Sequence, residues 1–445
     1  MITTLFRNRI ATSVSVLPMF VLSASVWLSA SVWLVAFVWL LTPASNGIAA
    51  EPATGTGDAK RSARVERRPE RTPRQRAEWI EQLRTLYHRP VDQWPAPHVD
   101  EIVDWKPLGH LPPVPHPPTN PDSAIKRDLG EKLFFDPRLS GSGQVACASC
   151  HDPDLAWADG RSSSFGHGRT RLTRNSPSIR NSGLRRTLFW DGRAESLESQ
   201  AVAVLSNPDE MHSSRQTIAA LITSVPAYRE MIDEAFVAPH GDSTDDPTDD
   251  WYLARVADAL ACFQRSIVGG RSRFDAFMRG RYRAMQDDEL IGLDLFRRQG
   301  RCMNCHHGPL LSDDQFHDLG LSNLGRRFED FGRYRITGED KHAGQFRTPS
   351  LRDVTRTAPY MHSGLFDLDA LLNLYNVGMF NLTRGAIEKA EGPIPQKSPL
   401  LKPLGLNRTD LRDVQSFLST LAEPWHREDT PVLPAYAGKE AHDSE

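Results

Sequence analysis

Four of the chain's five cysteines fall into two short clusters, Cys147-Ala148-Ser149-Cys150-His151 and Cys302-Met303-Asn304-Cys305-His306. Two thiols one helical turn apart can reach both vinyl groups of a single porphyrin and close thioether bonds on them. A histidine directly after the second thiol then meets the iron as its proximal ligand. Paired cysteines have two other common uses. A structural zinc site would have to unite pairs far outside ribbon spacing. A thioredoxin-type dithiol needs a strand–helix context that the flanking sequence lacks. The repeated pentapeptide therefore predicts two covalent c-type haems, attached through Cys147, Cys150, Cys302 and Cys305, with His151 and His306 on the irons. The fifth cysteine, Cys262, reads as a small buried hydrophobe, and an odd count argues against a disulfide framework.

The elements that must position these residues read as helices separated by long loops. Leu253, Val256, Leu260, Phe263 and Ile267 step by three and four, as do Leu411, Val414, Phe417, Leu418 and Leu421 behind an expected Thr409 N-cap. Asp367 should cap a further helix that Gly378 ends, with Leu368, Leu371, Leu372 and Tyr375 on one face. Regular strand patterns are scarce. Loops such as 159–182 and 320–348 are too long for a compact domain unless something besides side chains fills the core, and two haems would. The expected fold is all-α, with two cytochrome c-like haem domains at 106–270 and 271–422.

The ends of the chain address the compartment. Arg7 and Arg9 precede an apolar run and small residues up to Ala50, which predicts a signal peptide or an uncleaved membrane anchor over 1–50. Either places the rest outside the cytoplasm, in the periplasm. Residues 51–105 read as a polar linker with one short amphipathic helix (Trp79, Leu83, Leu86), and 423–445 as a disordered tail. A net charge of −3 supplies no basic field for nucleic acid.

Over about 120–421 the chain resembles the bacterial di-haem cytochrome c peroxidases and their MauG relatives. The resemblance rests on Leu133-Phe134-Phe135-Asp136-Pro137-Arg138-Leu139-Ser140, Arg174-Asn175-Ser176-Pro177-Ser178, Phe189-Trp190-Asp191-Gly192-Arg193 and Asn207-Pro208-Asp209-Glu210-Met211. In the second half it rests on Phe346-Arg347-Thr348-Pro349-Ser350-Leu351-Arg352 and Thr357-Ala358-Pro359-Tyr360-Met361-His362. It implies that the His151 haem meets hydrogen peroxide and that the His306 haem receives or shares charge. Glu210 would be the distal acid–base group, Gln200 its neighbour, and Trp190 the relay between haems. His167 would be a loop ligand capping the first iron. Tyr375 falls where peroxidases carry a methionine ligand of the second iron, as in MauG, with Met379 as the alternative ligand. Asn175 and the carbonyls of Thr357 and Pro359 match an interhaem calcium site. Ser363 departs from the family, where an acidic residue is common. The implied partner is a small c-type cytochrome or cupredoxin donor, and a homodimer is compatible. Tyr375 favours a MauG-like oxidation of a partner protein and His167 favours peroxidase chemistry. A non-catalytic di-haem electron carrier is the third reading, against which Glu210 and Gln200 argue.

Overall fold

The computed structural model describes residues 66–236 and 247–436. Among them, helices dominate: α1 (Pro73–Tyr87), α2 (Ala124–Phe135), α3 (Leu197–Ser206), α4 (Arg215–Ser224), α5 (Pro226–Ala235) and α6 (Asp249–Ser266) come first. They are followed by α7 (Arg273–Met278), α8 (Asp287–Arg297), α9 (Tyr334–Thr337), α10 (Leu368–Asn376), α11 (Arg384–Glu388) and α12 (Arg408–Ser419). The described strands, β1 (Phe316–Asp318) and β2 (Gln345–Arg347), form one short antiparallel ribbon with Phe316 opposite Arg347.

Two hydrophobic cores share one compact unit. The first is built on α2 crossing α6, and the crossing is close because Gly130 faces the Ala259 carbonyl, where a Cβ would collide. The second is built on α8 crossing α12, with Gly292 against the Asp413 carbonyl in the same way. Four residues after each glycine a phenylalanine meets its counterpart across the crossing. The rings of Phe134 and Phe263 lie 5.3 Å apart and those of Phe296 and Phe417 5.1 Å apart. A glycine lets backbones approach, and the aromatic one turn on fills the wedge beside it.

The expected stripes of α6 and α12 face these cores, and the Asp367 side chain caps α10 by accepting from Ala370 N at 2.7 Å. The cap of α12 differs from expectation. It is Asn407, which accepts from Asp410 N while Asp410 bonds back to Asn407 N, a capping box that Thr409 does not make.

The short amphipathic helix expected in the linker is α1, and the described parts of linker and tail pack on the rest of the chain. From residue 66 the chain is a strap on the second core. Leu83 and Tyr87 are buried, Tyr87 donates to Asp294 at 2.8 Å, and Arg76 grips Asp413 through two bonds of 2.7 and 2.6 Å. In the tail, Glu423 is buried, accepting from Gly270 N at 2.7 Å, and Arg138 donates to the Pro434 carbonyl at 2.9 Å. The expected signal or anchor segment lies outside the described residues. Among the described ones no helix is long and apolar enough to cross a membrane.

The long loops are held by partly buried ion pairs. Arg174 spans the two loops, bonding Asp191 at 2.6 Å and Asp330 at 2.7 Å.

Candidate functional site

All six residues of the two attachment motifs that would touch haem line one cavity of about 1040 Å³. Each motif is a single 3-10 turn, Cys147–Ser149 or Cys302–Asn304. The histidine N–H that follows bonds back to the first cysteine carbonyl, at 3.0 Å in one motif and 2.8 Å in the other. A carbonyl can only accept. The Nδ1 of His151 therefore donates to Trp157 O (3.2 Å), and that of His306 donates to Leu311 O (2.9 Å). This leaves Nε2 of each ring as the metal-binding nitrogen. Burial pulls the His306 imidazole down to about 4 and lowers that of His151 as well, so both are neutral donors near pH 7. Burial pushes the Cys147 and Cys302 thiols up to about 12. Apolar walls from Phe134 and Leu205 on one side and Leu371 and Leu411 on the other complete a cavity that fits haem at both motifs.

On the His151 side, the turn after α3 delivers Glu210. Its backbone N–H bonds to Asn207 O at 3.2 Å, and the Asn207 side chain accepts from Asp209 N at 3.0 Å. Gly166 lies flush under this turn, since an added Cβ would strike the Asp209 carbonyl, and His167 N donates to Glu210 O at 2.7 Å. The carboxyl so positioned lines the cavity, and its Oε2 is buried without a hydrogen-bond partner. Burial pushes it above the ordinary glutamate range, while the Arg193 guanidinium, 3.9 Å away, pulls it back. Gln200, on α3, lines the same cavity.

Trp190 joins the halves. It is buried, its Nε1 donates to Asn175 O at 2.9 Å, and its carbonyl accepts from Arg347 N at 2.8 Å. Its ring meets that of His362 edge-on at 6.4 Å, and His362 stacks flat on Phe346 at 3.6 Å.

On the His306 side, α10 carries Tyr375 to the cavity wall, where its hydroxyl makes no hydrogen bond among the described residues. Burial pushes this phenol upward, so its phenolate would form here only against a cation. Met379 does not line the cavity. The chain reverses at Gly378 (φ +82°), and Met379 turns into the second core. His167 is likewise outside the cavity. Its ring packs on His212 at 4.4 Å, behind the Glu210 turn, and only its neighbour Gly166 reaches the wall. Neither Met379 nor His167 is among the residues that line the cavity.

Asn175, Thr357 and Pro359 all line the cavity. The Asn175 amide nitrogen is committed to Arg161 O at 2.8 Å, which leaves its Oδ1 free. Neither that oxygen nor the Thr357 and Pro359 carbonyls accept a hydrogen bond among the described residues. Oxygen donors of this kind suit calcium. Two residues that sequence reasoning left without a role, Arg193 and His362, belong to the site. Both sit inside recognised runs, but the runs do not say what they face.

Helices with two Cys-x-x-Cys-His sites on one cavity define a c-type cytochrome with two haem-attachment sites. A family model described as di-haem cytochrome c peroxidase matches residues 124–283. The methylamine utilization protein MauG of Methylorubrum extorquens is 38% identical over 70% of this chain and 82% of its own length. The cytochrome c551 peroxidase of Pseudomonas aeruginosa is 32% identical over 71% of this chain and 84% of its own. A crystal structure described as a MauG-like protein associated with microbial copper homeostasis superposes with a TM-score of 0.62 at 30% identity, covering 72% of this chain and 96% of that one. The chain belongs to the di-haem cytochrome c peroxidase family, which includes MauG, and is an oxidoreductase.

Proposed function

We propose that the protein reduces hydrogen peroxide to water at the His151 side of the cavity, in the periplasm. Electrons enter on the His306 side from a small c-type cytochrome or cupredoxin. The observation that carries this reading is the buried, unpartnered Glu210 Oε2 on the cavity wall. An electron carrier with two closed irons has no use for such a group, whereas peroxide cleavage needs a carboxylate that takes a proton and gives it back.

Haem held by Cys147, Cys150 and His151 would supply the redox-active iron for peroxide reduction. The chain's own residues do the rest. Glu210 accepts the proton of the near oxygen and returns it to the far one, so that the far oxygen leaves as water. Two electrons and two protons in all convert one peroxide into two waters. Gln200 can donate an amide N–H to the oxygen being reduced. Trp190, bonded to both halves of the chain, provides an aromatic path between the two sides. Calcium on Asn175 Oδ1 and the Thr357 and Pro359 carbonyls would hold the Asn175 segment to which the indole is bonded.

One observation favours a second reading. Tyr375 faces the cavity while Met379 does not, and a tyrosinate ligand would lower the potential of the second haem. That suits a MauG-like enzyme that oxidises side chains of a partner protein. Peroxide consumption by the holoprotein, with a reduced small cytochrome or cupredoxin as donor, separates the two. Sustained turnover supports the first reading. A single peroxide equivalent consumed without donor turnover, leaving a persistent oxidised protein, supports the second.

A further inference from the structure

Away from the haem cavity, the described residues hold a second cluster of metal-binding groups. His116 lies in the proline-rich segment between the two cores, flanked by Pro115 and Pro117. Asp122 directly precedes the N-cap of α2, and Cys262 is on α6. One ligand atom from each lies within 4.8 Å of the other two. The Cys262 side chain is fully buried, and its thiol has only long contacts, 3.6 Å to Asp122 Oδ1 and 3.9 Å to Ser123 O. The Nδ1 of His116 is buried with no hydrogen-bond partner. A buried imidazole nitrogen left unpaired is costly, and this imidazole stands beside a thiol and a carboxylate.

We propose that His116, Asp122 and Cys262 bind a divalent zinc-class ion that fastens the proline-rich segment to the first core. A thiolate, an imidazole and a carboxylate are the donors that zinc takes, with water completing four-coordination. Zinc–ligand bonds of about 2.0–2.3 Å place ligand atoms roughly 3.3–3.8 Å apart, so the three groups need only draw together slightly. Binding displaces one proton, from the Cys262 thiol, and no electron moves. The charges then balance, two positive on the metal against one each on Cys262 and Asp122. Arg127 also pairs with Asp122, from the exposed side, and can keep one carboxylate oxygen while the other turns to the metal.

The site has a consequence for the chain's architecture. Leu260 and Gln264, each two residues from Cys262 on α6, line the haem cavity. A metal at Cys262 would therefore pin the helix that walls the first haem site to the segment arriving from the second core.

The test is equilibrium dialysis of the haem-loaded protein against micromolar zinc, followed by elemental analysis. One zinc is expected for every two irons, and zinc X-ray absorption should show one sulfur at about 2.3 Å. Cys262→Ser and His116→Ala should each weaken uptake at least tenfold, and zinc should raise the melting temperature of the parent protein but not of the variants. His116 is in a segment outside the helices, so its variant carries the test if Cys262→Ser misfolds. Absence of zinc uptake, uptake unchanged in His116→Ala, or bound zinc without a sulfur neighbour would each overturn the proposal.

Discussion

The two cores use the same device and present different chemistry to the shared cavity. In each, a helix glycine faces a backbone carbonyl and an aromatic pair closes the crossing, Gly130 with Phe134 and Phe263, Gly292 with Phe296 and Phe417. In each, a 3-10 turn carries the cysteines and a carbonyl fixes the histidine tautomer. The surroundings then diverge. The first half adds a loop that seats the Glu210 carboxyl, with its Oε2 unpartnered, on the cavity that Gln200 also lines. The second adds α10, which offers the Tyr375 phenol from an apolar face. A common helix pair builds each half, and short segments outside it set what each side presents to the cavity.

The comparison can be broken most severely at the attachment points. Replacing Cys147 and Cys150 by alanine should abolish peroxide turnover and leave one haem per chain. Replacing Cys302 and Cys305 should also leave one haem, with donor-dependent turnover lost. Mass spectrometry of denatured protein reads both outcomes, and two haems retained in either variant would refute covalent attachment.

Glu210→Gln comes next. The shape is preserved and the proton acceptor is lost, so turnover should fall about 10²–10⁴-fold with haem content unchanged. Wild-type turnover would remove Glu210 from the mechanism. The same group sets a pH limb. Because burial raises its pKa, activity should be full above that pKa and decline as the pH falls through it, at a higher pH than an ordinary glutamate would give. Arg193 holds the pKa down, so Arg193→Leu should move the limb further up. A limb that does not move would show that another group titrates.

The shared crossing predicts smaller effects of equal kind. Gly130→Ala and Gly292→Ala each force a methyl against a carbonyl, and should cost about 1–3 kcal/mol or somewhat more, as overpacking does. Thermal melting of the holoprotein measures both, and a variant as stable as the parent would mean that its crossing is looser than described. Calcium chelation should produce the mildest change, a slower transfer of electrons between the two haems with both haems retained. Unchanged transfer after verified calcium loss would leave that ion no part in the relay.

How much of this was legible depended on whether the cause was local. Haem attachment demands contiguous residues, so both motifs and their histidines were readable outright. So were the stripes of α6 and α12 and the Asp367 cap, which depend on residues a few positions apart. The strap at 66–105 was not, because its arginines look solvated until Asp410 and Asp413, far along the chain, are brought to them. The expected Thr409 cap gives way to Asn407, two residues earlier, because Asn407 makes the reciprocal bond with Asp410. His167 lies off the cavity wall for a different reason, because its 3-10 turn bonds its backbone to Glu210 and packs its ring on His212. Met379 lies off the wall that Tyr375 occupies because the chain reverses at Gly378.

The contrast between the two sides of the cavity is tested most directly by the ligands of each iron, read by electron paramagnetic resonance and near-infrared magnetic circular dichroism on the oxidised protein and on Tyr375→Phe. The predicted result for the parent is one high-spin haem, with His151 as its only protein ligand, and one haem bound by His306 and Tyr375, without a methionine-to-iron band. In Tyr375→Phe the second set of signals should change and its reduction potential rise, because an anionic oxygen donor is lost, while the first set stays as it was. Signals of the second haem identical in the two proteins would contradict the account, since Tyr375 would then be only packing.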